Sequence, residues 1–437
     1  MPGELSVLME IPKDAAFACP AANVAQTLAE RSGFDRRESY RFQLTVEEFI
    51  LCLIGVIQEG DGLRVILTGK RHLLRAAFAF RAAELSLGGL NSAVRDVVRS
   101  AGEPPRDLGL LLAAASADRY NLEHQGGDRF RIVAEVDRRY PEPPPVHAPQ
   151  NLQPPYRIVR HPDAARLTQA AALAVNAYPA WQSPGCFQTP EKFADLADAG
   201  EIACVLALDA AEQTAGLLTW SPCSDQALYF SGPFLFTSGT DRDDVARLLL
   251  DGFLEAVARE PHAIVLSVRA TADLLPGYFE PLGFLQSCAG TVCEQRPVVF
   301  RHLREDAGMA AWCSPRIEDF LRRSYAGLAM TRDILPVEEP GGAARRESLL
   351  GATLDRWRDL AELRPFLDGQ DMAANLTAHV KAIREKGINT ILYYMDLSRP
   401  WDAALAGDLI RSGFSPKLVL PYGGQSDMVV WQHDQTV

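Results

Sequence analysis

Apolar residues recur at two intervals along this chain, and the switch between the intervals marks out its elements. Ala21, Val24, Ala25 and Leu28 fall three or four apart until Gly33, the spacing of one helix face that ends at a residue suited to stop it. Phe42, Val46, Phe49, Ile50, Leu53 and Ile57 repeat the helical interval, after which Leu63, Val65 and Leu67 alternate as strand residues do. A further strand is expected over 74–80, helices around 90–100 and 108–118, and a closing strand with Phe130, Ile132, Ala134 and Val136 on one face. The pattern predicts a helix-on-sheet domain over 1–140.

Between Tyr140 and Tyr156, seven prolines (Pro141, Pro143, Pro144, Pro145, Pro149, Pro154 and Pro155) fix enough dihedrals to exclude both helix and central strand. Residues 141–156 are therefore read as a semi-rigid linker. Beyond it, Asp163 can open a helix carrying Leu167, Ala171 and Val175. Two apolar runs around a polar turn at 211–214 predict a hairpin, followed by a strand over 229–236, a helix over 243–258 and a buried strand in AIVLSV. A second break lies at Pro336 to Ser348. The remainder repeats the scheme, with a helix over 315–334 on Ile317, Phe320, Leu321 and Tyr325, a buried strand after Ile388, and a helix starting near Ser398 to Pro400 that ends at Gly413-Phe414.

Composition narrows the class. With 437 residues, 47% hydrophobic and 23% charged, the chain has material for several packed cores at about 100–200 residues each. A net charge of -12 opposes general adhesion to nucleic acid or anionic membranes. No apolar run approaches the ~20 residues of a membrane-spanning helix and no signal-peptide pattern opens the sequence, so the expectation is a cytoplasmic protein. The eight cysteines are scattered without a CxxC, and the eight histidines lack an HExxH, so no metal site is assigned.

The first segment resembles the GHKL-type ATP-binding domain of anti-sigma-factor serine kinases over about 15–137. The likeness is carried by LTVEEFILC at 44–52 and DLGLLLAAASADRYNLEHQGGDRFRIVAEV at 107–136. It implies Glu48 as the catalytic base, but the family's magnesium-binding Asn is Cys52 here, a poor ligand for a hard cation. The adenine-reading DxGxG would fall near Arg81 to Leu85 without its Asp or Gly, and Asp107 stands where a phosphate-loop glycine would be. The expectation is a retired ATPase fold that does not use ATP.

Residues 157–300 resemble a GNAT acyltransferase, chiefly through AIVLSVRATADLLPGYFEPLGF at 263–284, and 301–437 resembles a connecting helix with a second such module. Gly283 is expected to end a helix and Phe284 to enter the core. The family's general acid would stand at Phe279, which leaves Tyr278 as the catalytic candidate one residue early. In the stretch matching the coenzyme A loop, TSGTDRDDVARLLL, Gly239 and Arg242 are the cofactor-binding candidates, with Gly369 in the third segment. Asp241, Asp243 and Asp244 place carboxylates where a diphosphate would lie, so coenzyme A binding in the usual manner is not expected.

The sequence thus predicts an α+β chain: a GHKL-like helix-on-sheet domain followed by two GNAT-like α/β modules. One functional reading is an enzyme acting on a small amine, amino acid or acylated compound. It would work by acyl transfer, with a base taking the amine proton and backbone N–H groups holding the oxyanion, or by a repurposed reaction without coenzyme A. The other is a non-catalytic regulator whose first domain binds a protein and whose later modules sense a metabolite. Both take a small-molecule ligand.

Overall fold

The computed structural model describes residues 4–82, 117–125, 128–142, 145–146, 148–149, 151–239, 241–289, 292–337 and 346–434. The helix expected around 90–100 and residues 108–116 of the one expected over 108–118, with Asp107, lie outside the described residues. The chain forms two compact units. The first holds 1–139, 342–353 and 363–386, and the second holds 140–341, 354–362 and 387–437.

In the first unit, strands β1 (Leu5–Pro12), β2 (Gly62–Gly69), β3 (Leu73–Arg81), β4 (Arg119–His124) and β5 (Arg129–Asp137) form an antiparallel sheet ordered β1-β2-β3-β5-β4. The alternation seen in sequence places Phe130, Ile132, Ala134 and Val136 of β5 in the core. Helices α1 (Ala18–Arg31) and α2 (Arg36–Ile54) pack their apolar stripes on it. Asp35 and Glu38 close a capping box at the start of α2, and Phe49 stacks on Phe78 with ring centroids 5.2 Å apart. Strand β1 has no counterpart in the sequence reading, because an edge strand with a largely exposed LSVLMEIP shows weak alternation.

The second unit opens with β6 (Arg157–Val159) and α3 (Ala164–Ala177), capped by the Asp163 side chain as its sequence foretells. It continues through α4 (Pro190–Asp198), β7 (Ala203–Leu208), β8 (Thr214–Pro222), β9 (Ala227–Leu235), α5 (Asp241–Val257), β10 (Ile264–Ser267), β11 (Glu280–Ala289) and β12 (Val292–His302). Their sheet is ordered β11-β12-β10-β9-β8-β7-β6. Every described pairing in it is antiparallel except β9 with β10, which run parallel because α5 carries the chain back across the sheet. Phe253 of α5 packs on Trp220 and Phe230, which fastens that helix to the sheet.

After β13 (Met309–Cys313), α6 (Glu318–Gly327) and β14 (Arg332–Pro336) come β15 (Leu349–Asp355), β16 (Leu360–Leu367) and α7 (Met372–Glu385). Leu349 and Leu367 join the core of the first unit, so the third segment read from sequence is divided between the two units. The second unit resumes with β17 (Thr390–Asp396), α8 (Pro400–Ala404), α9 (Ala406–Arg411), β18 (Phe414–Leu420) and β19 (Met428–His433). Strand β19 pairs antiparallel with β17 on one side and β18 on the other. Strand β12 stands in the same relation to β10 and β11.

Two expectations are corrected. The helix expected over 315–334 is confined to Glu318–Gly327, because the backbone turns left-handed at Ala329 (φ 53°) and Arg332–Pro336 then runs as β14. Residues 271–279 form turns rather than a helix, so Gly283 caps nothing; it lies in β11 at a bulge after Pro281, with φ 149°, and Phe284 is 52% exposed. Pro276, Gly277 and Pro281 explain the difference, since two missing N–H donors and a flexible residue defeat a helix of that length. At the equivalent corner, Gly413 does follow a helix, and Phe414 is buried.

Candidate functional site

Two places in the second unit gather polar chemistry. The first is the divergence of the parallel strands. Pairing between β9 and β10 runs from Ala227–Ile264 to Tyr229–Leu266 and then yields to a single bridge between Gly232 and Ala270. The backbone groups beyond Ser231 are left to other partners. Thr271 Oγ1 donates to the Pro233 carbonyl at 2.8 Å. The Tyr178 hydroxyl accepts from the Leu235 N–H at 2.6 Å and donates to Asp273 Oδ2 at 2.5 Å. Burial, and next the hydrogen bond to Asp273, raise the Tyr178 pKa.

Arg242, at the start of α5, donates to Asp273 and, through Nη1, to the Thr237 carbonyl at 2.8 Å. Asp241 accepts from the Tyr156 hydroxyl at 2.7 Å. Backbone donors at such a strand end suit an acyl oxygen, and a helix start suits a phosphate. Here the Tyr178 hydroxyl takes the Leu235 N–H, and Asp241, Asp243 and Asp244 put carboxylates in the first turn of the helix.

The second place is a recess of about 440 Å³, part of it open to solvent, lined by residues of β11, β12, β17 and the stretches around 181, 269 and 358–362. Three guanidinium groups enter it: Arg269, just past β10; Arg296 on β12; and Arg358 in the turn between β15 and β16. Each has a different setting. Arg358 is held by Asp355, Nε to Oδ2 at 2.7 Å. Arg296 lies over the Trp181 ring at 4.9 Å. Its pKa is pushed down to about 10 by burial, against the pull of Glu294 and Asp359.

Arg269 is half-buried, and its guanidinium enters no hydrogen bond or ion pair among the described residues. Burial first and Arg358 second lower its pKa, while Glu362 acts in the opposite direction. Glu362 accepts a hydrogen bond from the Tyr394 hydroxyl at 3.2 Å. Trp181 is 8% exposed, and its indole Nε1 has no hydrogen-bond partner among the described residues. Nearby, burial pushes the Cys186 thiol up to about 11 although Arg269 and Lys192 draw it down.

The residues singled out in sequence are dispersed. Glu48 is half-buried on α2 of the first unit, and Gly369, also in that unit, sits where a Cβ would come within 2.3 Å of the Ser348 nitrogen. Gly369 is thus a packing glycine, whatever else it does. Tyr278 donates to Asp251 of α5 at 2.7 Å and is not among the residues of the recess. Gly239, with φ 71°, has open space where a Cβ would be, and Arg242 is committed to Asp273. The recess escaped the sequence reading because its charges come from positions far apart in the chain. One local signal was present: Arg269 directly follows the buried run AIVLSV.

No protein-family model matches the chain, and no curated protein matches it. Among solved structures it is similar to a putative acetyltransferase from Acinetobacter baylyi ADP1, at 12% identity over 35% of this chain and 93% of the other, with a TM-score of 0.28. It is also similar to a GNAT superfamily phosphinothricin acetyltransferase from Sinorhizobium meliloti, solved with AcCoA, at 15% identity over 35% and 90%, TM-score 0.27. A third is a GNAT family N-acetyltransferase from Escherichia coli, solved with CoA, at 16% identity over 44% and 94%, TM-score 0.25. No helix among the described residues is long and apolar enough to cross a membrane.

Proposed function

We propose that the second unit is a GNAT-type, acyltransferase-like scaffold that acts on a small molecule in the arginine-lined recess without taking coenzyme A in the usual manner. The parallel pair β9 and β10, joined by α5 inside an otherwise antiparallel sheet and diverging beyond Tyr229, supports the scaffold. The observation that carries the cofactor part is the Tyr178 hydroxyl on the Leu235 N–H, tied through Asp273 to Arg242. An acyl thioester would have to displace this chain of hydrogen bonds, and its diphosphate would meet Asp241, Asp243 and Asp244 in the first turn of α5. We further propose that 1–140 is a degenerate GHKL-like domain that does not turn over ATP.

Acetyl-coenzyme A titrated to millimolar concentration into the full chain tests this reading. Little thermal stabilisation is expected; saturable binding at low micromolar concentration would restore a conventional acetyltransferase. A metabolite-sensing regulator is the second reading. It is favoured by the lining of the recess, whose three guanidinium groups suit holding a ligand rather than exchanging protons with it.

A further inference from the structure

Charges that line a protein cavity are ordinarily matched within the protein, because an isolated buried ion loses its hydration and gains nothing in return. Most charges around the recess follow that rule. Arg358 has Asp355, and Arg296 stands over Trp181 and is drawn on by the opposite charges of Glu294 and Asp359. Two do not. Among the described residues, the Arg269 guanidinium enters no hydrogen bond or ion pair. The Glu362 carboxylate accepts only from the Tyr394 hydroxyl and enters no ion pair. These two opposite charges line the same cavity, yet they do not pair with one another. One cation and one anion are left to the space between them. A third group, the Trp181 indole N–H, is buried, faces no acceptor among the described residues and lines the same cavity.

We infer that the recess binds a small molecule carrying both a carboxylate and an amine, an amino acid being the simplest, with the carboxylate on Arg269 and Trp181 and the ammonium on Glu362. This rests on the reading of the recess as the small-molecule site and names the ligand class. A planar guanidinium fork matches a carboxylate with two N–H donors. The single uncompensated guanidinium suits a monoanion; a phosphate dianion would bring a second negative charge beside Glu362. Trp181 and Leu392 supply apolar lining for the carbon skeleton.

The experiment is calorimetric titration of the full chain with the set of common amino acids, together with norleucine, hexanoate, hexylamine and inorganic phosphate. At least one amino acid is expected to bind saturably, and norleucine is expected to bind more tightly than hexanoate or hexylamine. Arg269→Gln is expected to weaken that binding by about tenfold or more, and Glu362→Gln to bring norleucine down to the level of hexanoate. Trp181→Phe, which removes one N–H and keeps the packing, supplies a gentler variant should Arg269→Gln fail to fold; it too is expected to weaken binding. Binding of no amino acid by the folded wild-type chain would overturn the inference, as would tighter binding of phosphate or of hexanoate, or an affinity unmoved by these variants. The acetyl-coenzyme A titration is a separate arm, so failure of the cofactor reading and failure of the ligand class are told apart.

Discussion

The Tyr178 hydroxyl accepts a hydrogen bond from the Leu235 N–H at 2.6 Å, at the strand end where β9 has parted from β10. Tyr178 comes from the residue that ends α3, so the side chain of one element completes the backbone pairing that another has lost. Tyr178→Phe removes the acceptor and leaves both the Leu235 N–H and Asp273 short of a partner. We expect a loss of about 1–3 kcal/mol in stability, read as a lowered urea midpoint with unchanged slope. An unchanged midpoint would mean that water replaces the hydroxyl at no cost and that the cleft is more open than its contacts imply.

Arg332 and Asp427 have fully buried side chains and meet Nε to Oδ2 at 2.6 Å, with Asp306 on the other side of the guanidinium at 2.7 Å. The Tyr422 hydroxyl also reaches Asp306. Removing the cation strands two carboxylates, so Arg332→Met should destabilise the second unit by about 3–5 kcal/mol. Chemical denaturation followed by tryptophan fluorescence is the check. A variant as stable as the wild type would show that the carboxylates simply take up protons.

Asp402 is buried and accepts from the Asp396 N–H at 2.9 Å and the Tyr393 hydroxyl at 3.1 Å. Burial, chiefly, raises its pKa from 3.8 to about 8. Between those values the folded chain keeps a proton that the unfolded chain releases, so this group's contribution is greatest below pH 4 and declines as pH rises towards 8. For a single proton the decline is at most about 1.4 kcal/mol per pH unit. Urea midpoints measured from pH 5 to 8 should therefore fall less steeply in Asp402→Asn than in the wild type, and parallel slopes would exclude Asp402 as the source.

Gly413 has φ 84°, and a Cβ there would come within 3.1 Å of His433 Nε2. Gly413→Val is expected to cost about 1–3 kcal/mol from backbone strain alone, with the collision added. Gly283→Val should also lower the melting temperature, since φ 149° at a bulge is strained for a β-branched residue. Activity lost without any change in melting would assign these glycines to the site rather than to the fold.

What the sequence determined by itself is local. Helix faces such as Phe42, Val46 and Phe49, the alternation of β5 and the Asp163 cap follow from spacing and side-chain chemistry within a few residues, and the structure shows each of them. The Gly-Phe corner predicts a helix before Gly283, and the prolines around it turn 271–279 instead. The tertiary structure alone decided what lies in the cleft and what lines the recess. Tyr178 and Leu235 are 57 positions apart, and Arg269, Arg296 and Glu362 sit on separate elements. Their meeting depends on how strands pair and where they diverge. Pairing of that kind is set by burial summed over the whole second unit, which no short stretch of residues records.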